Sequence, residues 1–301
     1  MSKIAIIKIG ATGDVVRTSV LLHLYKNDEI TWITAKHNIA VLPFKQPNLV
    51  KVVAIEEIAA SGIMDEKFDF IISLDDDIKC ASLASALKSN HLFGAYTQDN
   101  KVVYTPSANE WFDMGLSSRF GKEKADQIKW ENKTSYQEIL FRMLGHTFNG
   151  EEYIIREDVF SSGPMNVIGI EARAGARWPT KMWNQYDKLA ELLRNDGYEV
   201  VFFKDREQIK DYMQDIGNTS LIISGDTLGM HIGLALKIPV VAIFTCTSAV
   251  EIFGYGRMEK IVSPYLEKAF YKTDYIPEAV ESITLEEVYG AVKKLKQPIF
   301  Q

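Results

Sequence analysis

Residues 4–9 form a near-continuous apolar run that breaks at Gly10, and from Val15 onward apolar residues (Val16, Val20, Leu21, Leu24) return at helical spacing. The pattern predicts a buried strand, a glycine turn and a helix. Further short buried strands are expected at 30–34, 50–55, 68–74 and 91–95, with helical stretches at 38–42 and 81–89. Residues 100–133 follow no regular pattern although they carry Trp111, Phe112 and Trp130; an amphipathic helix is expected at 135–144. The second half restarts the same grammar, with strands at 166–170, 199–203, 221–223 and 240–244 and helices at 183–195, 209–216 and 230–236. Alternating strands and helices imply an α/β protein with mostly parallel, doubly wound sheets. A boundary near Gly150 gives two domains, 1–150 and 151–301. A last helix at 285–295 follows Thr284, with Glu287 at the capping-box position, and in folds of this kind such a helix often packs back on the first domain.

Composition narrows the function. A chain of 301 residues exceeds what one core usually supports, which fits two domains. Its formal net charge of -6 argues against an extended nucleic-acid surface, since phosphate backbones are held by clustered Lys and Arg. Two distant cysteines, Cys80 and Cys246, suggest neither a disulfide framework nor a zinc site, and fit a reducing cytoplasm. No apolar stretch reaches eighteen residues, so no membrane span or secretory leader is expected. Lys293, Lys294 and Lys296 on the last helix leave open a peripheral contact with the inner membrane, though such a run usually reads as a solvated face.

Three segments carry candidate chemistry. In Gly10-Ala11-Thr12-Gly13-Asp14 a strand ends in a two-glycine turn and a helix begins, offering close backbone approach and free N–H groups to a ligand. The turn lacks both the dinucleotide fingerprint and the P-loop ending. Asp14 reads either as an N-cap or as a functional carboxylate at the sheet edge where open α/β domains bind ligands. In the second half, Asp226-Thr227-Leu228-Gly229-Met230-His231 follows an apolar strand and opens a helix, a suitable seat for a diphosphate; Asp226 and Thr227 read equally as caps, and His231 as a buried core histidine. Arg173, Arg177 and Lys181 surround Trp178-Pro179 after the strand ending at Ile170, where cations would neutralise a leaving diphosphate. The acidic run Asp75-Asp76-Asp77 is the one tempting metal site and reads as a strand-end loop with solvated charges.

These pieces resemble one family. Lys8-Ile9-Gly10-Ala11-Thr12-Gly13-Asp14-Val15-Val16-Arg17-Thr18 looks like the opening signature of the heptosyltransferases, glycosyltransferase family 9. Arg177-Trp178-Pro179-Thr180-Lys181-Met182-Trp183 resembles the family's second-domain loop, and Asp226 to His231 its donor-binding turn. Pro239-Val240-Val241-Ala242-Ile243-Phe244, with Thr247-Ser248 beyond it, resembles the strand that follows. The resemblance spans the chain in order and spacing. It implies the GT-B architecture of two facing Rossmann-like domains, acceptor on the first and nucleotide sugar on the second. It further implies inverting, metal-independent transfer without a cofactor, from ADP-heptose to a bacterial surface glycan such as lipopolysaccharide or another lipid-linked acceptor. Asp14 matches the family's base; Gly10, Ala11, Thr12, Gly13 and Arg17 form the acceptor-side loop. Arg173, Arg177, Lys181, Asp226, Thr227, Leu228, Gly229 and His231 form the donor side.

The chain departs from the family at Ala176, where members carry Lys; at Leu228, which shifts the glycine by one; at Thr245-Cys246, often Gly-Pro; and in a short segment between Phe203 and Asp226. All lie on the donor side. A GT-B enzyme with another donor, or a nucleotide- or sugar-binding relative without turnover, are the alternatives they raise.

Overall fold

The computed structural model describes residues 1–115 and 119–296. The chain divides into two compact units, Met1–Glu157 and Asp158–Gln301. The division lies beyond Gly150 because the intervening segment is tied to the first unit. Gln137 Nε2 donates to the Tyr153 hydroxyl at 2.6 Å, the Ile154 amide to Ser19 Oγ at 2.8 Å, and the Phe44 and Lys45 amides to the Glu157 carboxylate at 2.9 Å each.

In the first unit, strands β1 (Lys3–Ile7), β2 (Glu29–Thr34), β3 (Leu49–Ala54), β4 (Lys67–Ser73), β5 (Lys88–Gln98) and β6 (Lys101–Tyr104) form one sheet in the order β3-β2-β1-β4-β5-β6. All neighbours are parallel except β5 and β6, a hairpin turned by Asp99 and Asn100, both at positive φ, as such tight turns require. Helices α1 (Thr12–Thr18), α2 (Leu21–Leu24), α3 (Ile78–Ala86), α4 (Asn109–Asp113), α5 (Gly121–Glu131) and α6 (Tyr136–Met143) accompany it. The stretch expected to be irregular thus holds β6, α4 and α5; Leu116–Ser118 lie outside the described residues. α5 escaped detection because its charged sequence buries only Ala125 and Lys129, leaving no apolar stripe to read. The helix expected at 38–42 is a 3-10 turn, Lys36–Val41.

The second unit has strands β7 (Val167–Glu171), β8 (Glu199–Phe202), β9 (Leu221–Gly225), β10 (Val240–Phe244) and β11 (Met258–Val262), all parallel, in the order β11-β10-β9-β7-β8. Helices α7 (Tyr186–Asn195), α8 (Ile209–Gly217), α9 (Leu228–Ala235), α10 (Leu266–Ala269), α11 (Pro277–Glu281) and α12 (Leu285–Lys296) cover it. β7, β9 and β10 are buried throughout, which is why they read as unbroken apolar runs. The last helix, α12, packs on this unit's own core: Val288, Ala291 and Val292 join Ile168, Leu189 and Val241 in one cluster. Leu285, Tyr289 and Leu295 of the same helix, partly buried, pack against that cluster. Among the described residues no helix is long and apolar enough to cross a membrane.

Candidate functional site

In a doubly wound sheet, ligands bind beyond the carboxyl ends of the strands where the winding reverses. In the first unit the reversal falls between β1 and β4, so the crevice is walled by the loops after Ile7 and after Ser73. Asp14 stands on the first of them. It is not the N-cap: that position is Ala11, without a side-chain cap bond, and Asp14 lies in the first turn of α1. Its carboxylate receives Arg17 Nη2 at 2.8 Å and remains one-third exposed, at 33%. The Arg17 guanidinium lies 3.6 Å from the Tyr136 ring centroid, and the Tyr136 hydroxyl meets Thr18 Oγ1 at 3.0 Å. A cation stacked on an aromatic face and paired to a carboxylate leaves little rotational freedom to either.

The turn itself is held from below. Asp75, in the loop after β4, accepts from Lys8 Nζ and the Ile9 amide at 2.5 Å each and from the Gly10 amide at 3.2 Å. Asn38 Nδ2 donates to the Gly10 carbonyl at 3.1 Å, and Thr12 Oγ1 donates to Asn38 Oδ1 at 2.6 Å. Gly10 is needed for space rather than for an unusual φ: a Cβ there would come within 2.8 Å of Lys8 Nζ and 3.0 Å of Asp75 Oδ1. Burial alone would lower the Lys8 pKa. The Asp75 charge, with Tyr136 and Asp14 beyond it, more than offsets this and holds the ammonium above its usual range.

The acidic run is therefore not a set of solvated charges. Asp75 is the clamp just described, and Asp77 is the N-cap of α3, accepting from the Lys79 and Cys80 amides. Asp76 accepts from the Tyr104 hydroxyl at 3.0 Å, and burial raises its pKa. Among the described residues no group of three or more His, Cys, Asp or Glu is placed to hold a metal ion.

In the second unit the winding reverses between β7 and β9. Lys181, in the short 3-10 turn Pro179–Lys181, donates from Nζ to the Asp226 carbonyl at 2.8 Å and to Asp226 Oδ2 at 3.0 Å, with both side chains largely buried. His231 Nε2 lies 3.9 Å from Asp226 Oδ1. Buried as a core histidine would be, it nonetheless faces the loop. Thr227 holds the N-cap position of α9 without a side-chain cap bond, its hydroxyl turned to Ser224 at 2.8 Å. The first-turn amides of Leu228, Gly229 and Met230 lie at the reversal point, and the Thr227 side chain makes no cap bond to them. The loop after β10 closes in, Thr245 Oγ1 donating to the Thr180 carbonyl at 2.5 Å. Burial foremost raises the Cys246 pKa to about 11, against the lowering effect of the Lys181 charge.

Two further cations expected beside the diphosphate have partners within the second unit. Arg173 forks onto Glu171, Nε to Oε1 and Nη2 to Oε2 at 2.8 Å each, and reaches Asp205 at 2.5 Å. Arg177 is exposed and lies over the Trp178 ring at 5.2 Å. Sequence reasoning missed Glu171 and Tyr212. Glu171 is almost wholly buried at the end of β7 and also accepts from the Tyr212 hydroxyl at 2.6 Å. The only signal was an acid closing an apolar strand. These two crowd position 229: a Cβ on Gly229 would come 2.7 Å from the Tyr212 hydroxyl and 3.4 Å from Glu171 Cγ. The terminal lysines are not a free basic face; Lys293 pairs with Asp196 at 2.5 Å, Lys294 with Glu259 at 2.8 Å, and Lys296 donates to the Met165 carbonyl at 2.7 Å.

Two doubly wound α/β units in one chain correspond to the GT-B type of fold. Residues 206–275 match the model of glycosyltransferase family 9 (heptosyltransferase), a span that contains Asp226 to His231. Across nearly all of both chains, the fold is similar to three solved structures. A family 9 glycosyl transferase from Veillonella parvula DSM 2008 is 17% identical, covering 98% of this chain and 97% of its own, with a TM-score of 0.67. E. coli heptosyltransferase WaaC with ADP-2-deoxy-2-fluoro heptose is 12% identical over 97% and 99%, TM-score 0.60. E. coli ADP-heptose lps heptosyltransferase II is 15% identical over 98% of each, TM-score 0.62. No curated protein sequence matches the chain. The match within the second unit and the shared fold over both make the chain similar to the family 9 glycosyltransferases.

Proposed function

We propose that the chain transfers a heptosyl group from ADP-heptose to a hydroxyl of a lipid-linked or other surface glycan, with inversion and without a metal. The observation that carries this reading is Asp14, a carboxylate past the cap position, held by Arg17 and one-third exposed at the reversal point of its sheet. Asp14 takes the proton of the acceptor hydroxyl as that oxygen bonds to the anomeric carbon. The bond from that carbon to the diphosphate oxygen breaks, and ADP leaves with the electron pair. Lys181 and the first-turn amides of α9 meet the charge that develops on the diphosphate, with Arg177 reaching it from its exposed loop. Asp226 presents Lys181, and Thr227, Leu228, Gly229 and His231 line the same turn. Arg173 acts at one remove, holding Glu171 against Gly229.

The choice of ADP-heptose is supported by relatives named for it or bound to its fluoro analogue. A different nucleotide donor is the second reading, favoured by the short segment from β8 to β9, which holds only α8. A thermal-shift panel of ADP, UDP and GDP with their sugars separates the two, since a ligand that binds the folded state raises its melting temperature. Stabilisation by ADP and ADP-heptose above the others supports the proposal; a larger shift with UDP or GDP sugars refutes the donor.

A further inference from the structure

We infer that the buried Lys8–Asp75 pair is a positioning device for Asp14, so that Asp75 belongs to the transfer machinery although it lies on a different strand loop. The inference rests on the reading of Asp14 as the base.

The geometry is specific. One carboxylate oxygen of Asp75 takes the Lys8 ammonium at 2.5 Å, and the other takes the Ile9 and Gly10 amides at 2.5 and 3.2 Å. Three consecutive residues of the β1–α1 turn are thus fixed to a point on the neighbouring strand's loop. Gly10 occupies a space bounded by Lys8 Nζ, Asp75 Oδ1 and, at 3.6 Å from its would-be Cβ, Asp14 Oδ2. The turn lies against the carboxylate it presents, so a displacement of Gly10 is transmitted to Asp14. The Lys8 side chain is 6% exposed and that of Asp75 13%, so neither is a solvated surface charge. A buried ion pair adds little net stability compared with apolar packing, and in some proteins it serves to specify geometry. A reacting group misplaced by about 1 Å loses on the order of a hundredfold in rate, so a clamp of this kind has leverage on catalysis.

Three variants test this. Asp75→Asn keeps the acceptor for the amides but leaves the Lys8 charge without its counter-charge, and is expected to be poorly folded. Lys8→Met with Asp75→Asn removes both charges together and is the informative variant. Asp75→Glu keeps the charge and lengthens the arm. In the double variant and in Asp75→Glu, the transfer kcat should fall tenfold or more. The donor KM should stay within twofold and the melting temperature close to that of the unmodified protein. A role in stability alone predicts that kcat follows melting temperature, and Asp75→Glu would then keep full activity. Retention of kcat in both variants, while Asp14→Ala is inactive, overturns the inference. An active Asp14→Ala instead refutes the reading on which it rests.

Discussion

Replacing Lys181 by methionine removes an ammonium that donates to the Asp226 carbonyl at 2.8 Å and to its carboxylate at 3.0 Å. Two of its three N–H donors are thereby used among the described residues, and one remains for a phosphate oxygen. The lysine side chain is 14% exposed and that of Asp226 18%, so the substitution takes a counter-charge from a mostly buried carboxylate. Breaking a charge-assisted bond of this kind costs about 1.5–3 kcal/mol, and the same range applies to the bond lost to a bound diphosphate. At about 1.4 kcal/mol per tenfold, ADP affinity should fall by roughly ten- to a hundredfold. Pairing Lys181→Met with Asp226→Asn then separates structure from binding. The second substitution removes the carboxylate charge as well, so denaturant unfolding should show most of the stability returning, while calorimetric titration shows ADP affinity still reduced. If affinity recovers together with stability, Lys181 is a structural cation only and the anion site lies elsewhere.

Three further outcomes follow. Both cysteines should resist alkylation in the native protein at neutral pH, because they are fully buried and burial raises both thiol pKa values, that of Cys246 to about 11, so reaction with iodoacetamide before unfolding would contradict the packing. Burial raises the Asp76 pKa, so folding disfavours its charged form; this cost is fully present above the folded pKa and vanishes as pH falls below the unfolded value. Asp76→Asn should therefore be stabilising at pH 7, with the gain shrinking toward pH 3, and a variant less stable at pH 7 would show the Tyr104 bond to matter more. Transfer should survive excess EDTA, and loss restored by magnesium or manganese would place a metal in the mechanism.

What the sequence disclosed and what it hid divide along a physical line. The turns carrying Asp14 and Asp226 were visible because an apolar strand, a glycine and a helix onset are adjacent in the chain. The capping alternatives were settled only by coordinates: Asp14 lies past the cap, and Thr227 turns its hydroxyl to Ser224. Asp75 read as one of three equivalent acids because its partners, Lys8 to Gly10, are some 65 residues away and adjacent only once β1 and β4 pair. The packing of Glu171 and Tyr212 against Gly229 was hidden for the same reason, and the pairing of Arg173 with Glu171 was not visible because that acid, two residues earlier, looked like the end of a strand.

The central claim is that Asp14 is the base for sugar transfer. It is tested most directly by comparing the unmodified protein with Asp14→Ala in a mass-spectrometric transfer assay with ADP-heptose and a panel of lipid-linked core glycans. The account predicts a product one heptosyl unit heavier than the acceptor with the unmodified protein. In Asp14→Ala the rate should fall by about 10²- to 10⁴-fold, the range for loss of a general base, with ADP binding nearly unchanged. More than half the unmodified rate in Asp14→Ala would contradict it.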